Sequence, residues 1–225
     1  MADFTLFIGN KAYSSWSLRG WLPLVHVGVP FDEVVIPFDG PAGVPTSAIR
    51  ERSPSGKVPL LRHRDLLVWD SLAIGEYLAE LFPDARLWPA DGAARATARS
   101  VSAEMHSGFS ALRTAMPMNV RRRPFELAVG PEVRADVARI LSIWSDCRRA
   151  HGAGGPFLFG AFSLADAMFA PVATRFRTYG VVLDAVAGAY VDAIHLHPAM
   201  QRWFAEARQE PWTIEAYERA GKSQG

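Results

Sequence analysis

The 225-residue chain has a single cysteine, no excess of either charge, and no uninterrupted apolar stretch long enough to span a bilayer. Each shortage removes a class of protein. Cys147 alone leaves no intrachain disulfide framework and no zinc site built on several thiolates, and no metal is expected. Lys plus Arg total 24 against 23 Asp plus Glu, so there is no strong field of one sign to hold nucleic acid or an anionic membrane. Asp3 and a short apolar run rule out a signal peptide at the start, and Asp184 interrupts VVLDAVAGAY. A soluble cytoplasmic chain is the expected class. Internal repeats and low-complexity tracts are also missing, as is the G-x-S-x-G elbow that a hydrolase serine would want.

What is present is enough apolar material, 49% of the residues, to bury a substantial core in one large domain or two small ones. The chain changes character near Pro83. Before it, FTLFI (4–8) and FDEVVI (31–36) read as strands, and 17–27 reads as a helix in which Pro23 predicts a kink or a shortening. Residues 57–61 and 66–69, joined by RHRD, predict an antiparallel hairpin, and 71–82 predicts a helix stopped by Pro83. After Pro89 only helical spacing remains, over 91–116, 125–150, 163–179, 183–194 and 198–210. The expectation is an α/β domain over 1–83 in the order βαβ-α-ββα and an all-α domain over 90–225, joined around PDARLWP.

Three short stretches can carry chemistry. In YSSWSLR (13–19), Ser14 or Ser15 is either a helix N-cap or a working hydroxyl. In SPSGKVPLL (53–61), Pro59 opens a strand where its missing N–H is harmless; a cis bond before it would turn the Val58 backbone outward to pair with an extended peptide. In WDSLAIGEYL (69–78), Asp70 and Ser71 open a helix. Capping explains them, and so does a clamp in which free helix amides take a carboxylate and Asp70 takes an ammonium. A hydroxyl, a strand-like backbone and an amino-acid clamp together describe a site for a small peptide with a free α-amino acid end.

The order SSWSLR, SGKVPLL, DSLAIGEYL resembles the amino-terminal, thioredoxin-like domain of the cytosolic glutathione transferases. It is closest to the serine-type classes, and SSWSLR is similar to the zeta-class signature Ser-Ser-Cys-Ser-Trp-Arg. Downstream, LWPADGAARA and FSLADAMFAPV resemble that family's helical domain, with Ser163 and Asp166 matching its buried helix cap. The resemblance implies a detoxifying enzyme that binds glutathione as co-substrate and pairs it with a small electrophile, working as a homodimer without metal. It assigns Ser14, with Ser15 as its neighbouring candidate, to a hydrogen bond to the glutathione sulfur. By the same resemblance Val58 pairs its backbone with the cysteinyl unit, Pro59 is the cis-proline, Lys57 is a further glutathione-binding residue, and Asp70 with Ser71 hold the γ-glutamyl end. Trp16 stands where the zeta signature has cysteine, and Asp70 where the family usually has Glu or Gln.

For the electrophile pocket, His106, Phe109 and Arg113 follow Ser102 at helical spacing on the first helix of the second domain, on a face that is either pocket wall or buried contact. PMNVRRRP (117–124) reads as a solvated basic turn or a pocket closure, and Cys147 as a buried filler. Three functions stay open. The first is glutathione conjugation, and the second a glutathione-dependent cis-trans isomerase of the maleylacetoacetate or maleylpyruvate type, with Arg19, Arg113 and the RRR run as sources of cation. The third is a non-catalytic binding module on the same fold.

Overall fold

The computed structural model describes residues 2–38 and 47–220. Its sheet has four strands in the order β2-β1-β3-β4: β1 (Phe4–Ile8), β2 (Phe31–Val35), β3 (Leu60–His63) and β4 (Leu66–Val68). FTLFI is buried at every position, as a central strand covered on both faces requires. β1 runs parallel to β2, so the connection must cross over, and α1 (Ser15–Val27) makes it. β3 pairs antiparallel to β1 and β4, and the hairpin turn is Arg64–Asp65. Arg62 and His63, placed in the joining segment by the sequence, belong to the strand.

α1 is not shortened at Pro23. Residues Leu18 and Arg19 to Leu24 are buried on its core side, and that packing carries the helix past one lost backbone bond. Gly20 lets it lie against the cis-Pro59 loop, because a Cβ there would fall 2.7 Å from the Pro59 ring. A short α2 (Ser47–Arg50) precedes β3, and α3 (Ser71–Leu81) follows β4. Gly75 of α3 meets Leu164 so closely that a Cβ would lie 2.4 Å from its methyl carbon, which sets the approach of the helical part.

The long helix expected over 91–116 is two helices, α4 (Gly92–Ser107) and α5 (Ser110–Ala115), broken at Gly108 and Phe109. Tertiary bonds settle the break. Arg113 gives Nε to the Gly108 carbonyl at 2.9 Å and Nη2 to those of Met105 and His106, while Asp136 accepts from the Leu112 amide at 2.9 Å. The next helix starts later than expected, α6 being Pro131–His151, since Pro131 suits a first helical position. The stretch before it is held as extended chain, with the amides of Phe125 and Leu127 on the carbonyls of Thr178 and Tyr179.

α7 (Leu164–Thr178) is the axis of the helical part and is buried along nearly its whole length. α1, α4 and α8 (Ala185–Leu196) pack against it, α6 and α9 (Pro198–Gln209) pack on α8, and a short α10 (Glu215–Arg219), which the sequence pattern did not reveal, closes the described chain. Trp144 packs against Phe169, Phe176 and Tyr190 at the centre. Cys147 is buried nearby, and loss of solvent pushes its thiol up to about 11. No helix among the described residues is long and apolar enough to cross a membrane.

Candidate active site

A cleft of about 590 Å³ opens where the sheet meets the helical part. The start of α1 supplies Ser14, Ser15 and Trp16, the segment before β3 supplies Lys57, Val58 and Pro59, and the start of α3 supplies Asp70 and Ser71. His106, Arg113, Met118, Arg175 and Tyr217 face them from the helical part. Phe109 does not: at the α4–α5 break its backbone is left-handed and its side chain joins the core. Ser102, fully buried, is also absent from the cleft wall. The single helix face expected to carry Ser102, His106, Phe109 and Arg113 does not exist.

The first three of the four hydroxyls of YSSWSLR have different partners. Tyr13 donates to Glu218 at 2.6 Å and accepts from Arg121, so its oxygen is committed to the chain. Ser14 is the N-cap of α1, taking the Ser17 amide at 3.2 Å and donating to the Ser17 hydroxyl at 2.7 Å. Ser15, one residue on, accepts from Arg175 Nη2 at 3.2 Å, an arrangement that leaves its own proton to donate elsewhere.

The loop before α1 is fastened by residues from the far end of the chain. Glu210 takes the amides of Lys11 at 2.6 Å and Ala12 at 2.9 Å, one on each carboxylate oxygen. Trp203 donates to the Lys11 carbonyl at 3.0 Å. Arg121 bonds the carbonyls of Glu210 and Trp212, and Arg122 bonds that of Ala220. Within the basic run, then, Arg121 and Arg122 are tethers and only Arg123 is exposed. Of the late aromatics, Trp203 is core and Tyr217 lines the cleft.

At the sheet end, the Val58–Pro59 bond is cis. Ser71 is completely buried, and its hydroxyl, at the free-amide end of α3, has no partner among the described residues. Asp70 caps α3 through Leu72 at 3.0 Å, and its other oxygen lies 2.9 Å from His106 Nε2.

The cleft also concentrates cations. Arg19 and Arg113 each lie 4.8 Å from the Trp16 ring centroid. Arg19 is fully buried with both terminal nitrogens unpartnered; burial, and then the charges of Arg113 and Arg175, hold its pKa well down. Burial, and next Arg113, bring Arg175 down to about 10. Sequence reasoning missed Arg175. The one signal was a cation inside FAPVATRF, apolar but for Thr174 beside it, in a helical pattern, a placement proteins seldom leave unpaired.

Residues 13–81 match the family model described as glutathione S-transferase, N-terminal domain, and residues 104–206 the one described as glutathione S-transferase, C-terminal domain. A probable maleylacetoacetate isomerase of Caenorhabditis elegans is 36% identical over 102 residues, 45% of this chain, and the match spans about half of that relative's length (46%). Among solved structures, a Burkholderia glutathione transferase homolog with bound glutathione is 24% identical, covering 92% of this chain and 99% of its own, at a TM-score of 0.70. A bacterial maleyl pyruvate isomerase of the zeta class has the same TM-score at 21% identity, covering 92% of this chain and 98% of its own.

Proposed function

The chain belongs to the glutathione S-transferase family, and from that premise we propose that it binds glutathione at the sheet side of the cleft and activates its thiol for attack on a small electrophile. The observation that carries this reading is the Ser71 hydroxyl, fully buried, unpartnered and on the cleft wall. A buried polar group without a partner is costly, and the γ-glutamyl carboxylate is the acceptor that would satisfy it. Val58, with no hydrogen bond to its backbone among the described residues, is left to pair with the cysteinyl unit. Lys57 at the rim faces the same ligand. Asp70 plays a weaker part, since both of its oxygens already have neighbours.

The chemistry is a matter of charge on sulfur. A free thiol titrates near ~8.5, so only a few per cent is the nucleophilic thiolate at neutral pH. Hydrogen-bond donation to the sulfur favours the ionised form, and each pH unit by which it lowers the pKa corresponds to ~1.4 kcal/mol. No cysteine stands in the cleft, so a protein–glutathione mixed disulfide has no place in this mechanism.

Calorimetry with reduced glutathione tests the clamp. Ser71→Ala removes a bond to a charged group worth ~1.5–3 kcal/mol, so the dissociation constant should rise roughly 10- to 100-fold. Unchanged affinity in a Ser71→Ala, Asp70→Ala double variant would refute it.

One observation favours the isomerase reading for the second substrate. The Nη1 of Arg175 on the cleft wall, unpartnered among the described residues, suits an electrophile that bears a carboxylate, and the C. elegans relative and the zeta-class structure carry maleyl names. Activity against maleyl dicarboxylates but not neutral electrophiles decides for it, and the opposite pattern decides for conjugation.

We take the partner in solution to be a second copy, supported by exposed Leu66 on β4 and Leu81 on α3 and by the frequency of two-fold pairing. A single 24.7 kDa species in sedimentation at micromolar concentration would refute this.

A further inference from the structure

We infer that Arg175 is the positioning residue that makes Ser15 a donor to thiolate, and that it supplies the positive charge of the sulfur site. The inference rests on the glutathione reading above. Arg175 comes from the middle of the helical part, is only 4% exposed, and still reaches the cleft wall beside Ser15. Nε is spent on the Met116 carbonyl at 2.7 Å, Nη2 bonds the Ser15 oxygen at 3.2 Å, and Nη1 is buried with no partner.

A buried guanidinium is ordinarily matched by a carboxylate, because an unpaired charge out of water costs several kcal/mol. No carboxylate among the described residues forms an ion pair with Arg175. The charged groups nearest it in effect are Arg113 and Arg19, of the same sign, and the carboxylate that acts on Arg19 is Asp70, which His106 also approaches. Asp70 thus acts on Arg19 and Asp136 on Arg113, while the charge of Arg175 has no paired carboxylate among the described residues. An anion against Ser15 would complete the site. With its oxygen already accepting from Arg175, Ser15 can present only its proton to that anion, and the guanidinium polarises that O–H bond. A glutathione thiol seated there loses its proton to solvent and remains as thiolate, bonded to Ser15 and facing Arg175. No covalent bond of the protein forms or breaks.

The test follows thiolate absorbance against pH in wild type, Arg175→Met and Arg175→Lys, each saturated with glutathione, and measures the affinity of S-methylglutathione, which has no ionisable thiol. Arg175→Met should raise the bound thiol pKa by about 1–3 pH units, lowering the thiolate fraction at neutral pH roughly tenfold per unit. Arg175→Lys, which keeps the charge, should restore most of it. S-methylglutathione should bind all three alike, a result that a merely structural Arg175 would not combine with a moved thiol pKa. If Arg175→Met fails to fold, Arg175→Lys is read against wild type, and its shorter reach should still raise the pKa measurably. An unmoved pKa with normal S-methylglutathione binding overturns this inference and leaves the glutathione reading standing. An unmoved pKa with lost affinity for a maleyl dicarboxylate overturns it too, and gives Arg175 to the second substrate. If wild type binds neither glutathione nor its S-methyl form, both readings fall.

Discussion

Turnover of the Ser15→Ala variant at saturating glutathione is expected to fall by roughly 10²–10³-fold, the loss typical when one preorganised donor to a developing or resident anion is removed. Ser14→Ala should behave differently. Its hydroxyl already serves the Ser17 amide and the Ser17 oxygen, so its removal takes away an N-cap, at a cost of ~0.5–2 kcal/mol of stability and a far smaller loss of rate. The family signature points first to Ser14, whereas the hydrogen bonds favour Ser15. Steady-state rates for both variants, with their denaturation midpoints, separate the two roles. If Ser14→Ala loses the rate and Ser15→Ala keeps it, the donor is Ser14 after all.

The largest expected loss of stability comes from Asp166→Ala. This carboxylate, wholly buried at the start of α7, takes the amide of Leu158 at 3.0 Å and both the amide and the hydroxyl of Ser163 at 2.8 Å. Burial pushes its pKa up to about 6 against the pull of those bonds, so at neutral pH it is ionised and accepting. Bonds to a charged acceptor are worth ~1.5–3 kcal/mol each, and truncation also strands their donors in the core. With three bonds lost, the cost should exceed ~4 kcal/mol, a large share of the ~5–15 kcal/mol that holds a typical domain together. Urea unfolding measures it directly, and a loss below ~1 kcal/mol would show that α7 does not depend on this cap.

Much of the architecture was readable because it rests on local pattern. FTLFI, apolar at all but Thr5, reads as an inner strand, and FSLAD carries a capping box in SLAD. The three segments that meet at the cleft were legible for the same reason, each being a run of a few residues that sits at the mouth of a strand or a helix. What escaped depends on partners remote in sequence. The break after Ser107 is settled by Arg113 and Asp136 filling bonds that a longer helix would have made itself. Periodicity carries no trace of that choice, so it sets Phe109 on one face with His106 and Arg113, whereas Phe109 joins the core and they line the cleft. Ser14 and Ser15 are chemically identical letters, and what distinguishes them is an arginine 160 residues away. Arg121 and Arg122 looked like solvent-facing charge until the carbonyls of 210, 212 and 220 arrived beside them.

The clasp of Glu210 on the amides of Lys11 and Ala12 has a consequence in time. The two ends of that contact are 199 and 198 residues apart, so at ~5–20 residues per second of synthesis the loop waits roughly 10–40 s for its partner. The first strand and helix can emerge and pair long before. The loop that presents the serines cannot, because Trp203, Glu210 and Glu218 are still unmade or inside the ribosome. A nascent chain halted before residue 200 would carry Ser14, Ser15, Val58, Ser71 and Arg175 yet leave the loop's amides open to water. The cleft is thus finished last, although Ser14 and Ser15 on its wall are among the first residues made.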